Sequence, residues 1–295
     1  MYTVAGGGLA GLVAAARIAA AGHPVRVFEP GDEAGGRART YDTAGDPVER
    51  FPGHLTGSNE SIRQILSAHG VADRLLRRRG RTARYLDGIV HPVDAPWERL
   101  AYPGLGLRNT LRLRRLGRTL AESGGGADDP SGSVRATDRT VESVVTERAS
   151  ADLYTGWFEP LVRAEFGDRA GAVPDAWLHE WVESQADHDR AGERIGYLDG
   201  SLGTLVDSLV ERIGNDAIRR NARVVDIETS TADRDSPLMA TVEDDAGDRR
   251  VETDGVVVAT DPTDLERIVG VETELEVVPE TCALVTAEAS LTDAW

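Results

Sequence analysis

The chain has 295 residues, of which 40% are hydrophobic, so it is long enough for two globular domains with a sizeable core. Its 50 acidic and 33 basic residues give a formal net charge of −17, which argues against nonspecific nucleic-acid binding. No apolar run approaches the roughly 18 residues of a membrane-spanning helix, and no signal peptide precedes the first predicted strand. We therefore expect a cytoplasmic protein.

The basic residues are all arginine, and the chain contains no lysine. A strongly acidic surface without lysine suits a cytosol of high salt, where ions screen its self-repulsion, so the composition predicts a halophilic source. Cys282 is the single cysteine, which excludes an internal disulfide and agrees with a reducing compartment. Since it lies in an apolar run, we expect it to be a buried spacer.

The first forty residues have the order strand, glycine turn, helix, strand and acid. Apolar runs at Tyr2–Ala5 and Pro24–Phe28 predict strands on either side of an alanine-rich helix at Leu12–Ala21. The turn Gly6–Gly11 has the pattern G-x-G-x-x-G, and the second strand closes on Glu29. This order is the fingerprint of a dinucleotide-binding unit, in which an acid about 20 residues after the last glycine binds a ribose. The alternative is a glycine turn with a purely structural role.

Each position of the turn has a physical reason. Gly6 permits a sharp turn out of the strand, Gly8 lets a pyrophosphate approach the main chain, and Gly11 lets the helix pack close to the strand. The first N–H groups of the predicted helix lack partners within the helix and lie at the positive end of its dipole, and Leu9 and Ala10 of the glycine turn are predicted to contact the cofactor. The sequence therefore predicts a diphosphate site at this helix N-terminus.

A second glycine element narrows the kind of dinucleotide. Gly35 and Gly36 precede Arg37, and Pro30 follows the ribose-binding acid. Together with the first glycine turn, this G-G-R element resembles the FAD-binding start of the flavin amine oxidase superfamily, which includes monoamine oxidases, protoporphyrinogen oxidases and phytoene desaturases. The resemblance implies FAD as cofactor and places Arg37 near the pyrophosphate. The alternative for Arg37 is an ordinary surface charge.

The resemblance also implies the fold and the domain organisation. We expect an α/β protein with a Rossmann-like FAD-binding domain of the glutathione-reductase type and an inserted α+β substrate domain. The FAD-binding domain would comprise residues 1–80 and 191–270. The substrate domain would comprise residues 81–190 and 271–295, incomplete at its C-terminal end.

Further contacts with FAD are implied by matching positions. Gly53 and His54 would line the isoalloxazine ring, although a histidine in a loop is otherwise more often structural or solvent-facing. Val224 matches a strand position whose main chain brackets the adenine. Ala259 and Thr260 belong to a V-V-A-T motif that lies near the FAD in the family.

Patterns in the middle of the chain leave alternatives open. Asp87-Gly88 predicts the turn of a hairpin. Leu105–Leu120 predicts a basic amphipathic helix, which suits peripheral contact with an anionic membrane or, as we favour, a solvated face over the core. The aromatic helix face at Trp177–Val182 predicts core packing, with the wall of a substrate cavity as alternative. Acids around His179 lack the spacing of a metal site and indicate a solvated helix end.

The last residues, Thr281–Leu291, predict an apolar strand that continues the substrate domain. Family members continue well beyond the end of this chain, and the missing part supplies much of their catalytic face. We therefore expect a truncated or split gene product, completed by a separate C-terminal chain. The alternative is a reduced flavoprotein without catalysis.

By resemblance, the expected function is an FAD-dependent oxidoreductase that moves a hydride from a C–H bond of a small organic substrate to flavin N5. The segment Pro160–Gly167 favours porphyrinogen-like or isoprenoid substrates over small amines. No residue stands out as a catalytic base or a metal ligand. A non-catalytic or split flavin-binding subunit and a redox-neutral sugar mutase are the alternatives.

Overall fold

The computed structural model describes residues 1–45, 47–51, 53, 55–56, 60–123, 139–185, 188–189, 192–228, 238–272, 277, 281–285 and 288–289. The chain forms two compact units. The first unit comprises Met1–Leu55, Asn59–Leu76 and Gly196–Val285. The second unit has Arg77–Ile195 as its main body, a segment that lies between two parts of the first unit in sequence.

The strands of the described residues are β1 Tyr2–Ala5, β2 Val25–Glu29, β3 Thr40–Tyr41, β4 Val48–Glu49, β5 Leu55–Thr56, β6 Leu75–Gly80, β7 Ala83–Leu86, β8 Ile89–Pro92, β9 His188–Asp189, β10 Gly192–Leu198, β11 Ile218–Arg220, β12 Ala222–Glu228, β13 Leu238–Asp244, β14 Gly247–Thr253 and β15 Gly255–Val258. The helices are α1 Leu9–Ala20, α2 Glu60–Ala68, α3 Pro96–Ala101, α4 Gly106–Ser123, α5 Val141–Arg148, α6 Ala151–Leu153, α7 Glu159–Phe166, α8 Ala176–Ser184, α9 Gly203–Ile213 and α10 Pro262–Val269. A π-helical turn, Tyr154–Phe158, joins α6 to α7.

A parallel sheet of order β11-β2-β1-β15 forms the centre of the first unit. Successive side chains of each strand point to opposite faces. Val4 and Val27 pack with α1 and α9 on one face, whereas Ala5 and Phe28 pack with β12, β13 and α10 on the other. This doubly covered sheet is a Rossmann-like arrangement, and the carboxyl ends of β1, β2 and β15 meet at one edge.

The chain from residue 218 to residue 228 forms two strands, and the predicted Val224 position lies in the second of them. β11 belongs to the parallel sheet, while β12 pairs with β13 in an antiparallel sheet of order β12-β13-β14. The chain changes direction at Asn221, whose φ of 51° is left-handed, a conformation that asparagine adopts more readily than most residues. Both strands alternate buried and more exposed residues, so the sequence pattern alone does not show that they belong to different sheets.

Two expectations for the last part of the chain are wrong within the described residues. Residues 281–285 form no strand and are exposed, and Cys282 is exposed rather than buried. A strand needs a neighbour for its N–H and C=O groups, and no described strand pairs with this segment. Residues 271–285 also belong to the first unit, not to the expected substrate domain.

The second unit has a helical core, and its predicted hairpin is confirmed. β7 and β8 pair across Asp87 and Gly88, which have φ values of 51° and 82°. Trp177 and Trp181 are partly buried against the core formed by α4 to α8, in agreement with the packing interpretation. The chain passes between the two units within β6 and β10, neighbours in a sheet of order β5-β10-β6.

Arg84 is a largely buried cation in the second unit. Its guanidinium lies 3.9 Å from the centre of the Trp157 ring and donates a hydrogen bond of 2.9 Å to the Trp157 carbonyl oxygen. Burial lowers the pKa of Arg84 to about 10, against the favourable influence of Tyr102. Because that pKa remains far above neutrality, Arg84 keeps its charge and is held by the aromatic faces.

Glu98 at the start of α3 should make a pH-dependent contribution to stability. Its Oε2 accepts from the Ala95 N–H at 2.9 Å, and its Oε1 pairs with Arg81. Burial opposes ionisation, but these two partners outweigh burial and leave the pKa of Glu98 lowered. A lowered pKa in the folded state means stability that is present above the unfolded-state pKa of 4.5 and lost as pH falls below it.

We therefore expect Glu98→Gln to reduce the free energy of unfolding by about 1 kcal/mol at pH 7. The difference from wild type should shrink as pH falls below 4.5 towards the lowered pKa of Glu98 in the folded state, because the wild-type carboxylate becomes protonated there. Urea denaturation of both proteins from pH 7 to pH 4 measures it. Glu122→Gln, an exposed acid of α4, serves as control. A difference that is constant with pH would show that the charge is not responsible.

Candidate functional site

The turn between β1 and α1 is built so that glycine is required at two positions. Gly6 has a φ of 98°, and a Cβ there would lie 2.5 Å from the Ala259 carbonyl oxygen. A Cβ on Gly11 would lie 1.9 Å from the Gly6 carbonyl oxygen. Gly8 differs, because a Cβ on it would have no neighbour within 4 Å. The turn is thus tightly packed at Gly6 and Gly11, whereas the side of Gly8 where a Cβ would lie is open.

The N-terminus of α1 begins at this open position. Gly8 is the N-cap and provides no side-chain acceptor, and the first turn contains no acidic residue. The N–H groups of Leu9 and Ala10 precede the first intrahelical hydrogen bond, from the Leu12 N–H to the Gly8 carbonyl oxygen at 2.9 Å. Several N–H groups and the positive end of the helix dipole therefore favour an anion here.

Glu29 holds the turn and the following loop in place. One carboxylate oxygen accepts from the Gly7 N–H and the other from the Gly31 N–H, each at 2.8 Å. Each oxygen keeps further lone pairs, so the carboxylate is oriented and can still accept from a ligand hydroxyl. Pro30, between these contacts, is exposed. The sequence did not predict that Gly7 and Gly31 donate to Glu29. The one available signal was that both residues lie in glycine-rich turns.

The G-G-R element packs directly against the first turn. The Gly35 N–H donates to the Gly7 carbonyl oxygen at 2.7 Å, and a Cβ on Gly36 would lie 3.1 Å from the Gly8 Cα. Arg37 follows at once and is exposed. Among the described residues its guanidinium has no hydrogen bond or ion pair. The G-G-R element, which packs against Gly8, therefore contains an arginine without a charge partner among the described residues.

Three other predicted cofactor positions, Val224, Ala259 and Thr260, are linked to the first glycine turn or to the loop after Glu29. The Ala259 N–H donates to the Ala5 carbonyl oxygen at 2.8 Å, so Ala259 and Thr260 follow β15 beside Gly6. Val224 is buried in β12 and is followed by an irregularity in the strand pairing. The start of β12 is tied to the Glu29 loop by a 3.0 Å hydrogen bond from the Asn221 N–H to the Gly31 carbonyl oxygen.

Of the two predicted loop positions, the structure describes Gly53. Gly53 is exposed, and a Cβ on it would have no neighbour within 4 Å. His54 lies outside the described residues. In the described part of the chain, no three His, Cys, Asp or Glu side chains gather as a metal site. No described helix is both long enough and apolar enough to span a bilayer.

A parallel sheet, a glycine turn and an acid at the end of β2 define a dinucleotide-binding α/β protein. The model of the flavin containing amine oxidoreductase family matches residues 9–286. The chain therefore belongs to this family of FAD-dependent oxidoreductases. Its cofactor is FAD, and the open, donor-rich position at Gly8 fits the diphosphate of that dinucleotide.

Solved structures have the same fold. A putrescine oxidase bound to putrescine is 20% identical with a TM-score of 0.67, covering 90% of this chain and 59% of its own. Cyclohexylamine oxidase from Brevibacterium oxydans IH-35A is 20% identical with a TM-score of 0.66, covering 91% and 59%. A candidate protoporphyrinogen oxidase from Exiguobacterium sp. 255-15 is 18% identical with a TM-score of 0.61, covering 90% and 60%. The chain thus spans about 60% of their length. No curated protein sequence matches it.

Proposed function

We propose that the chain binds FAD with the diphosphate above Gly8. The single observation that carries this proposal is the open space at Gly8, directly before the N–H groups of Leu9 and Ala10, which precede the first intrahelical hydrogen bond of α1. Arg37 would neutralise the diphosphate charge, because its exposed guanidinium has no partner among the described residues. Glu29 would accept hydrogen bonds from the adenosine ribose.

The remaining contacts are assigned by position. The main chain at Val224 would contact the adenine, since the Asn221 hydrogen bond holds the start of β12 beside the Glu29 loop. Ala259 and Thr260 would contact the cofactor from the end of β15, beside Gly6. The loop of Gly53 and His54 would face the isoalloxazine ring, as the family resemblance implies.

The proposed reaction is oxidation of an organic substrate. When bound, the flavin of this family accepts a hydride from a substrate C–H bond. The first unit, as an FAD domain of the glutathione-reductase type, would hold the cofactor, and the second unit would act as the substrate domain. Porphyrinogen-like, isoprenoid and amine substrates are the classes to test. Putrescine oxidase and cyclohexylamine oxidase among the similar folds support including amines.

A second candidate is a flavin-binding subunit that needs a separate chain for catalysis. The chain spans about 60% of the length of the structures that it resembles. The observation that favours the split subunit is the open edge of β15, which is one of the two outer strands of the parallel sheet, with β11 at the other end, and has no partner on that side among the described strands.

The visible absorption spectrum of the purified chain tests both candidates. With FAD bound, anaerobic addition of an amine, an isoprenoid or a porphyrinogen should bleach the flavin if the chain is active alone. Retained flavin without bleaching, and bleaching once a C-terminal chain is supplied, would support the split subunit. Absence of flavin at every salt concentration would contradict FAD binding by this chain.

Glu29→Gln should weaken FAD binding about tenfold or more, because one N–H of Gly7 or Gly31 would then face an amide NH2. Titration with FAD, followed by flavin fluorescence, measures the dissociation constant. Glu33→Gln is the matched control, since Glu33 lies in the same loop and pairs with Arg50 at the surface. Equal affinities for wild type and Glu29→Gln would remove Glu29 from the proposed site.

We also propose that the chain is adapted to high salt. The net charge of −17 repels itself most at low ionic strength, where the screening length is about 30 Å at 0.01 M compared with about 3 Å at 1 M. The urea midpoint of unfolding should therefore rise between 0.1 M and 2 M KCl. A midpoint that falls over this range would contradict the adaptation.

A further inference from the structure

The second unit contains a groove of about 380 Å³ that no step of the proposed function uses. It lies between α3, α4 and α8, and it is lined by Arg99, Arg114 and Arg118 together with Leu113 and Trp181. This volume is within the range of small-molecule sites, which combine an apolar lining with a few convergent polar groups.

The charge of the groove is opposite to that of the chain as a whole. Arg114 and Arg118 are exposed on successive turns of α4, and within the described residues neither forms an ion pair or a hydrogen bond. Like charges four residues apart destabilise a helix. Arg99 donates a hydrogen bond of 2.7 Å to the Val93 carbonyl oxygen. Burial lowers the pKa of Arg99; attraction from Asp94 opposes this shift, and repulsion from Arg114 adds to it. Two cations without partners thus converge on one recess of a chain with a net charge of −17.

Apart from Gln185, the rest of the lining is apolar or glycine. Leu113 is buried in the helical core, and the ring of Trp181 packs edge-on against Phe158 with their centres 5.1 Å apart. These side chains are therefore held in place and present a fixed apolar surface to the groove.

A glycine keeps the groove open. Gly117 lies inside α4, one turn from both Leu113 and Ala121, and a Cβ on it would have no neighbour within 4 Å. Glycine inside a helix is less stable than alanine. Neither a left-handed backbone conformation nor a close contact requires glycine at position 117. The effect of the missing side chain is therefore to leave space in the groove.

We propose that this groove binds an organic anion, namely a carboxylate or phosphate carried on an apolar body. Arg114 and Arg118 hold the anionic head, since guanidinium groups bind carboxylate and phosphate oxygens in pairs. Leu113 and Trp181 contact the apolar body. The site lies within the second unit and is independent of FAD binding, so it stands or falls separately from the proposed function.

Calorimetric titration of the full chain with decanoate and with decyl phosphate, at the lowest salt that keeps it folded, tests the proposal. Both should bind. Decanol, which has the apolar chain but no anion, and inorganic phosphate, which is an anion without the chain, should bind at least tenfold more weakly. Arg114→Gln with Arg118→Gln should weaken binding at least tenfold. Arg115→Gln removes one positive charge from α4 outside the groove and should leave binding unchanged, whereas Arg114→Gln alone should already weaken it.

Gly117→Leu should block the groove, and Gly117→Ala should narrow it, without loss of thermal stability. Cosedimentation with vesicles of phosphatidylglycerol or phosphatidylcholine identifies the source of the head group. Binding to phosphatidylglycerol vesicles and not to phosphatidylcholine vesicles, if the Arg114 and Arg118 substitutions reduce it, would identify a lipid as the source of the head group. Binding of decanoate in solution without binding to either kind of vesicle would identify a free anion. No binding in any arm, equal binding of decanol, or an equal loss in Arg115→Gln would overturn the proposal.

Discussion

Gly8→Ser is expected to fold as stably as the wild type and to lose FAD. Gly8 has φ −69° and ψ 176°, which any residue adopts, and a Cβ there meets no atom within 4 Å. Serine is also a better N-cap than glycine, so α1 should gain up to about 0.5 kcal/mol. The new Cβ and hydroxyl would occupy the diphosphate position and satisfy an N–H group that the cofactor needs. Affinity for FAD should fall at least about 100-fold.

Two measurements on one preparation check this prediction. Urea denaturation without flavin gives the stability, and fluorescence titration gives the FAD dissociation constant. Gly171→Ser is the matched control, because a Cβ on Gly171 also has no neighbour within 4 Å, but Gly171 lies in the second unit, which contains none of the proposed FAD contacts. If Gly8→Ser binds FAD like the wild type, the diphosphate does not lie above Gly8.

Gly11→Ala is expected to destabilise the first unit by about 3 kcal/mol or more. The added Cβ would lie 1.9 Å from the Gly6 carbonyl oxygen, which is main chain and cannot move without displacing the turn from β1. FAD binding should fall with it, because the turn and the helix N-terminus are one structure. Thermal or urea unfolding of the flavin-free protein measures the loss.

Gly117→Ala makes the same chemical change inside α4, where a Cβ meets no neighbour within 4 Å. It should stabilise the second unit by up to about 1 kcal/mol, because alanine is the better helix former. The same substitution is therefore expected to act with opposite sign at the two positions. A small effect at both would show that the close contact at Gly11 is easily relieved.

The nucleotide turn could be predicted from sequence because its requirements are local. Gly6, Gly8 and Gly11 are set by the turn and by the first helical residues, all within a few positions of one another. The hairpin at Asp87-Gly88 was predictable for the same reason. The contacts of Glu29 with Gly7 and Gly31 were not, since they depend on how the first glycine turn meets the end of β2 and the loop that follows it.

The errors concern properties that depend on distant partners. Residues 281–285 are apolar enough for a strand, but strand formation needs a neighbour that no sequence window reveals. Cys282 was expected to be buried on the same evidence and is exposed. The break at Asn221 arises because β11 and β12 pair with different sheets. The arginine groove likewise combines three helices, so the charge pattern of α4 alone could not predict it.

The central claim is that the turn at Gly8 binds the diphosphate of a dinucleotide. Comparing FAD with FMN tests it most directly, because FMN has the same isoalloxazine ring but lacks the adenosine and the diphosphate. We expect FAD to bind and FMN to bind at least about 100-fold more weakly, with ADP displacing FAD in competition. Equal affinity for FAD and FMN, or no effect of ADP, would contradict the claim.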